Sequence, residues 1–248
     1  MLEVRNLCKA FGGIKVTRDL SFRLQPGERR VILGPNGAGK TTLFNQLVGV
    51  LKPTSGDILI DGTSVISLSV AQRARRGLSR SYQKNNLFED LTVRENLMLA
   101  AAAAQGKSGW MIRDSFTDAA LRETVEEVAQ QVSLSDMLDH EVRAASYGNR
   151  RQLEVGLALA TKPRILLMDE PTSGVGPSMI DGFHKLLHDL PRDLTVLIIE
   201  HDMDLAFDVA DRITVLNFGE LVFEGTPDET RGNPIVRDIY LGDWQADA

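Results

Sequence analysis

A single cysteine, Cys8, stands in 248 residues, so the chain cannot close an internal disulfide and has no thiol pair to offer a metal. That usage suits a reducing compartment. Long apolar runs are missing too: Leu97 to Ala104 is among the longest, far short of the ~20 residues a membrane-spanning helix needs. A role at a membrane would therefore need another chain to hold the protein there. The opening Met1-Leu2-Glu3-Val4-Arg5 has neither a basic nor an apolar signal region, so no secretory signal is expected. Nor is there a basic surplus. With 28 Lys and Arg against 34 Asp and Glu, the formal net charge is -6, which disfavours a surface built to collect nucleic-acid phosphates. No internal repeat or low-complexity tract stands out beyond Ala100 to Ala104.

What is present is an ordinary globular composition, 43% hydrophobic and 25% charged. Residues from Leu2 to about Gln83 predict strands and turns, with hairpin signals at Pro53-Thr54-Ser55-Gly56-Asp57 and at Asp61-Gly62. Leu91 to about Ala145 changes character. Leu121, Val125, Val128 and Val132 recur at spacings of three and four, which predicts an amphipathic helix within a helical insertion. Uninterrupted apolar strands return at Ile165–Met168, Thr195–Ile199 and Ile213–Leu216, separated by helical segments, as in a parallel sheet covered on both faces. A short helical tail is expected after Gly225.

Between the apolar run Val31–Leu33 and a helical pattern through Leu43, Phe44, Leu47 and Val48 lies Gly34-Pro35-Asn36-Gly37-Ala38-Gly39-Lys40-Thr41-Thr42. The glycines allow successive N–H groups to turn onto a phosphate, Lys40 has the reach for β/γ oxygens, and the Thr41 hydroxyl suits Mg²⁺. Nucleoside triphosphate binding is the expectation. At the end of the strand Ile165–Met168 stand Asp169 and Glu170. Two adjacent acids divide the work there: Asp169 holds Mg²⁺, directly or through water, and Glu170 polarises an attacking water. Another strand ends in Glu200-His201-Asp202, which places His201 within possible reach of a γ-phosphate. His140, His184 and His188 receive no role.

These segments, with Ser81-Tyr82-Gln83, Met168-Asp169-Glu170-Pro171-Thr172-Ser173 and Ala145-Ser146-Tyr147-Gly148-Asn149-Arg150, together resemble the ATP-binding subunit of ABC transporters over nearly the whole chain. The resemblance implies an α/β fold: a P-loop core, its mixed sheet holding parallel central strands, with an inserted α-helical subdomain. It divides the chain into a core with an antiparallel β lobe (1–87 and 151–230), a helical signature subdomain (88–150) and a C-terminal tail (231–248). It also implies a site for ATP and Mg²⁺. In that site Phe11 stacks on adenine, Gln83 senses the metal and the attacking water, and Thr42 lies near the α-phosphate. Ser146 and Gly148, at the start of a helix Arg151–Ala160, would clamp the γ-phosphate held by a second subunit, so that ATP closes a dimer and hydrolysis opens it.

Two departures stand out. The family's signature more often reads Leu-Ser-Gly-Gly-Gln, whereas Ala145, Tyr147 and Asn149 occupy the first, third and fifth positions here. Gly176 stands where an acidic residue is common in the loop after the catalytic Glu. The start Leu2–Leu7 with Phe11-Gly12-Gly13, the phrase Leu91–Leu97, the insertion with Trp110, and Ile239-Tyr240-Leu241-Gly242 resemble the branched-chain amino acid, urea and amide uptake branch. The partners so implied are two integral-membrane permease subunits docking near Asn85 to Glu95, a second ATPase subunit, and, indirectly, an extracytoplasmic solute-binding protein. No nucleic acid is implied, and the location is peripheral, on the cytoplasmic face of the cell membrane. Alternatives are a lipopolysaccharide-type exporter ATPase and a non-transport ABC clamp.

Overall fold

The computed structural model describes residues 1–81, 87–106 and 118–244, without the side chains of 177–179 and 241–244. Among the described residues two sheets form. Strands β1 (Leu2–Phe11), β2 (Ile14–Leu24), β4 (Ser55–Ile60) and β5 (Thr63–Ser64) form an antiparallel sheet in the order β2-β1-β4-β5. The second sheet has the order β10-β9-β3-β8-β7-β6 and comprises β3 (Arg29–Leu33), β6 (Leu78–Arg80), β7 (Ile165–Asp169), β8 (Thr195–Ile199), β9 (Arg212–Asn217) and β10 (Glu220–Gly225). All its pairings are parallel except β10 with β9.

Alternate residues of the central strands point to opposite faces and feed two separate cores. Val31, Leu33, Leu166, Met168, Val196 and Ile198 join one cluster; Ile32, Ile165, Leu167, Leu197 and Ile199 join the other. The first core takes the apolar faces of α3 (Val93–Ala104), α4 (Ala119–Gln131), α5 (Tyr147–Ala160), α6 (Pro177–Asp189) and α7 (Met203–Val209). The second is filled by α1 (Lys40–Val48) and the antiparallel sheet. The expected helix through Leu121 and Val128 is α4, begun by Asp118, whose carboxylate accepts from the N–H groups of Ala120 and Leu121.

The turn at Asp61-Gly62 forms as expected, with positive φ at both residues and β4 pairing onto β5. Pro53–Asp57 behaves differently. It is the entry into β4, whose partner is the distant β1, Cys8 lying opposite Ser55, so the local turn signal marks a strand start rather than a hairpin. Helix α2 (Val70–Arg75) interrupts the strand-rich first lobe behind a capping box between Ser69 and Gln72. After Gly225 come α8 (Pro227–Gly232) and α9 (Pro234–Trp244). Among the described residues no helix is long and apolar enough to cross a membrane.

Candidate active site

Strand β3 delivers the glycine loop between two neighbours, β9 and β8. Gly34 lies against Leu216, whose carbonyl oxygen would be 2.3 Å from an added Cβ, and a Cβ on Gly39 would stand 2.7 Å from the Val16 carbonyl oxygen. Both positions have positive φ, so only glycine lets the loop fold tightly onto β2 and β9. Gly39 caps α1 without a side-chain hydrogen bond, and the first turn of α1 holds no acidic residue. The N-terminal amides of α1 therefore remain available to an anion. Asn36, Gly37 and Thr41 are exposed, Pro35 and Thr42 half-buried, and Ala38 buried.

The Lys40 side chain is buried and donates to the carbonyls of Gly34 and of Pro35, the latter at 3.1 Å. Burial pushes its ammonium pKa down, against the opposing charges of Glu170, Asp169 and Glu200. The loop thus satisfies its own lysine, which a phosphate would have to draw outward.

Asp169 ends β7 and is only 4% exposed. Burial, with the like charge of Glu170, pushes its carboxyl up to about 6, although Arg80 and Arg151 pull the other way. Glu170 adopts φ 46°, a left-handed conformation rare for a non-glycine residue. Three hydrogen bonds hold it there: its N–H donates to the Ile199 carbonyl at 2.8 Å, and its carbonyl accepts from Arg151 Nη2 at 2.7 Å and from Ser173 N–H at 3.1 Å. Such strain persists only where the surroundings over-determine it.

Glu200, fully buried, ties the two strand ends together. Its carboxylate accepts from Thr172 Oγ1 at 2.7 Å and from the N–H groups of Thr172 and His201, at 3.3 and 3.0 Å. The His201 ring stays 61% exposed, with Nδ1 3.6 Å from that carboxylate. Glu200 is thereby a support that sequence reasoning passed over in favour of its neighbour; its signal was a carboxylate directly after an uninterrupted apolar strand.

Phe11 is half-exposed at the end of β1, with Lys9 Nζ 5.0 Å from its ring centroid. Ser146 caps α5, its Oγ accepting from Asn149 N–H at 3.2 Å, so the helix starts a turn earlier than the expected Arg151. Gly148 is buried in the first turn of α5. Gln83 lies outside the described residues, as do Asn85, Trp110 and part of the expected docking segment. Arg151, given no role by its position in the sequence, is buried: Nη1 bonds Glu154 at 2.6 Å and Nε donates to the Pro171 carbonyl at 3.1 Å.

A glycine loop on a central parallel strand, paired acids closing the strand two places away and a histidine closing the strand between them define a P-loop ATPase. The ABC transporter family model matches residues 17–173. Over 251 residues the chain is 38% identical to the high-affinity branched-chain amino acid transport ATP-binding protein LivG of Escherichia coli K12, covering 98% of each chain. It is 35% identical over 244 residues to the lipopolysaccharide export system ATP-binding protein LptB of Haemophilus influenzae, again covering 98% of each. The ADP conformation of MJ1267, an ATP-binding cassette of an ABC transporter, matches with TM-score 0.82 at 29% identity over 98% of both chains. The dimeric post-hydrolysis state of the cassette MJ0796, bound to ADP and Pi, matches at 0.75 and 26% identity, over 92% of this chain and 99% of that one. The chain belongs to the ABC transporter family and is an ATP-binding, ATP-hydrolysing subunit of that family.

Proposed function

We propose that this subunit powers an importer for branched-chain amino acids or a related small amino acid, amide or urea solute. The observation that carries the site reading is the strand arrangement: β3, which leads into the loop and Lys40, and β7, which ends in Asp169 ahead of Glu170, flank β8 in parallel, so loop and acids stand at the same end of the sheet. In this reading Gly34–Thr42 wraps the phosphates, Lys40 leaves its loop carbonyls for the β/γ oxygens, and Phe11 stacks on adenine. Glu170, fixed by its backbone, orients the attacking water as general base, and His201 meets the γ-phosphate. Ser146 and Gly148 of a second subunit complete the site from α5.

The residues present fit Mg²⁺. Thr41 and Asp169, with Gln83, are an oxygen donor set of the kind a hard cation takes, and Asp169 is a buried carboxylate directly beside a second acid, Glu170. When bound, the ion neutralises charge on the β- and γ-phosphate oxygens. Phosphoryl transfer needs positioning more than covalent chemistry, so the subunit's work is to close two copies of the site and reopen them after hydrolysis.

The same reading divides the chain into a core (1–87 and 151–230), a helical signature subdomain (88–150) and a tail (231–248). It places the protein peripherally on the cytoplasmic membrane face, with two integral-membrane permease subunits, a second ATPase subunit that is a related chain or a second copy, and an extracytoplasmic binding protein acting indirectly. The likeness to LivG supports the importer. The likeness to LptB supports a second reading, an exporter ATPase. Tagging the chain in its native cell, solubilising membranes gently and identifying co-purifying proteins by mass spectrometry separates them. Two membrane subunits and a second ATPase whose associated binding protein takes amino acids are expected; lipopolysaccharide-export partners, or only soluble ones, would overturn the importer.

A further inference from the structure

Tyr147 occupies the first position of α5, directly after Ser146, and its hydroxyl crosses to the segment that follows Glu170. Its Oη donates to the Ser173 carbonyl at 3.1 Å. Gly174, at φ 76°, makes room for it: a Cβ there would stand 2.8 Å from Tyr147 Oη and 3.3 Å from Cζ. A glycine in place of Tyr147 would have no group to offer. One turn along α5, on the same face, Arg151 donates to the carbonyls of Glu170 at 2.7 Å and Pro171 at 3.1 Å. Two side chains four residues apart thus hold three carbonyls of the segment 170–173. That segment is itself a tight turn: Ser173 N–H bonds the Glu170 carbonyl at 3.1 Å, and Val175 N–H bonds that of Thr172 at 3.0 Å. A shift of the strained Glu170 backbone therefore reaches Ser173 within the same turn.

We propose that Tyr147 is a positioning residue that couples the start of α5 to the loop after Glu170 within one chain. Resting on the reading in which Ser146 and Gly148 complete a partner's ATP site, the coupling makes the segment lent to the partner follow the state of the chain's own Glu170. Gly176 offers no side chain to such communication, and the Tyr147–Ser173 contact supplies an alternative path. The two contacts differ in kind. Arg151 is buried and bound to Glu154, so it is part of the framework, whereas the Tyr147 ring is 58% exposed and its hydroxyl can be deleted with little effect on folding.

The test compares the full chain with Tyr147→Phe, Gly174→Ala and their combination for ATP affinity of the monomer, KM and kcat, with Ser146→Arg as reference. Removing the hydroxyl should leave monomer affinity, KM and melting temperature close to wild type while lowering kcat about tenfold, a loss of the size expected for one misplaced group. Gly174→Ala should lower kcat similarly by displacing the tyrosine, and the double variant should be no worse than either single one. An unchanged kcat for Tyr147→Phe, while Ser146→Arg abolishes hydrolysis, overturns the coupling and leaves the shared-site reading standing. Unimpaired hydrolysis by Ser146→Arg overturns the shared site itself, and the coupling with it.

Discussion

At the scale of single residues, the site trades stability for chemistry at Asp169. Its carboxyl lies at about 6 in the folded chain against an ordinary 3.8, because burial and Glu170 disfavour the charged form. The folded state therefore holds a proton that the unfolded chain releases, and rising pH removes stability between those values. Above that window the cost reaches at most about 3 kcal/mol in the nucleotide-free protein. Asp169→Asn should raise stability to urea by about 1–3 kcal/mol at pH 8 and leave it nearly unchanged at pH 4, while hydrolysis collapses. Equal unfolding midpoints for the two proteins at pH 8 would show that the charge is compensated. Lys40 belongs to the same balance: its ammonium is buried and held by the Gly34 and Pro35 carbonyls.

At the scale of elements, the helical region rests on close approach. In α5, a Cβ on Gly156 would meet Leu97 of α3 at 3.2 Å, Val132 after α4 at 3.3 Å and Val128 at 3.5 Å. Gly182, within α6, has open space around it. Gly156→Val should destabilise by about 2 kcal/mol through overpacking at that three-helix junction. Gly182→Ala should instead stabilise by about 0.5–1 kcal/mol, by restricting the unfolded chain and favouring helix. Thermal and urea unfolding of the two variants check both signs. The elements themselves were largely legible in the sequence because their signals are local: the apolar runs of β7, β8 and β9, the three-four spacing of α4, and the glycine loop ahead of α1. What escaped depends on partners far along the chain. Arg29 and Arg30 begin the buried strand β3, although two arginines beside an apolar run suggest an exposed end. Arg30 is sustained there by Glu28 at 2.6 Å and by Glu224 of β10 at 2.7 Å. The roles of Arg151 and Tyr147 were hidden for the same reason, since only folding brings α5 against the loop after β7. Helix α2 was legible in principle, its Ser69–Gln72 capping box being a local pattern.

At the scale of the whole molecule, the proposed function asks each chain to present half of two sites. The glycine loop, Asp169, Glu170 and His201 gather at the ends of parallel strands, while Ser146 opens α5 at an exposed position of its own. In the proposed function a second chain reconciles the two, and ATP is the ligand that would favour the closed pair over separate subunits. The structurally similar cassette MJ0796 is a dimer in a post-hydrolysis state with ADP and Pi, which supports the pairing of two such chains. The measurement that bears most directly on it is sedimentation equilibrium of the Glu170→Gln protein with Mg²⁺ and either ATP or ADP, alongside Lys40→Ala. Glu170→Gln should be a dimer in ATP and a monomer in ADP, and Lys40→Ala a monomer in both. Glu170→Gln that binds ATP at full affinity yet stays monomeric at saturation would contradict it.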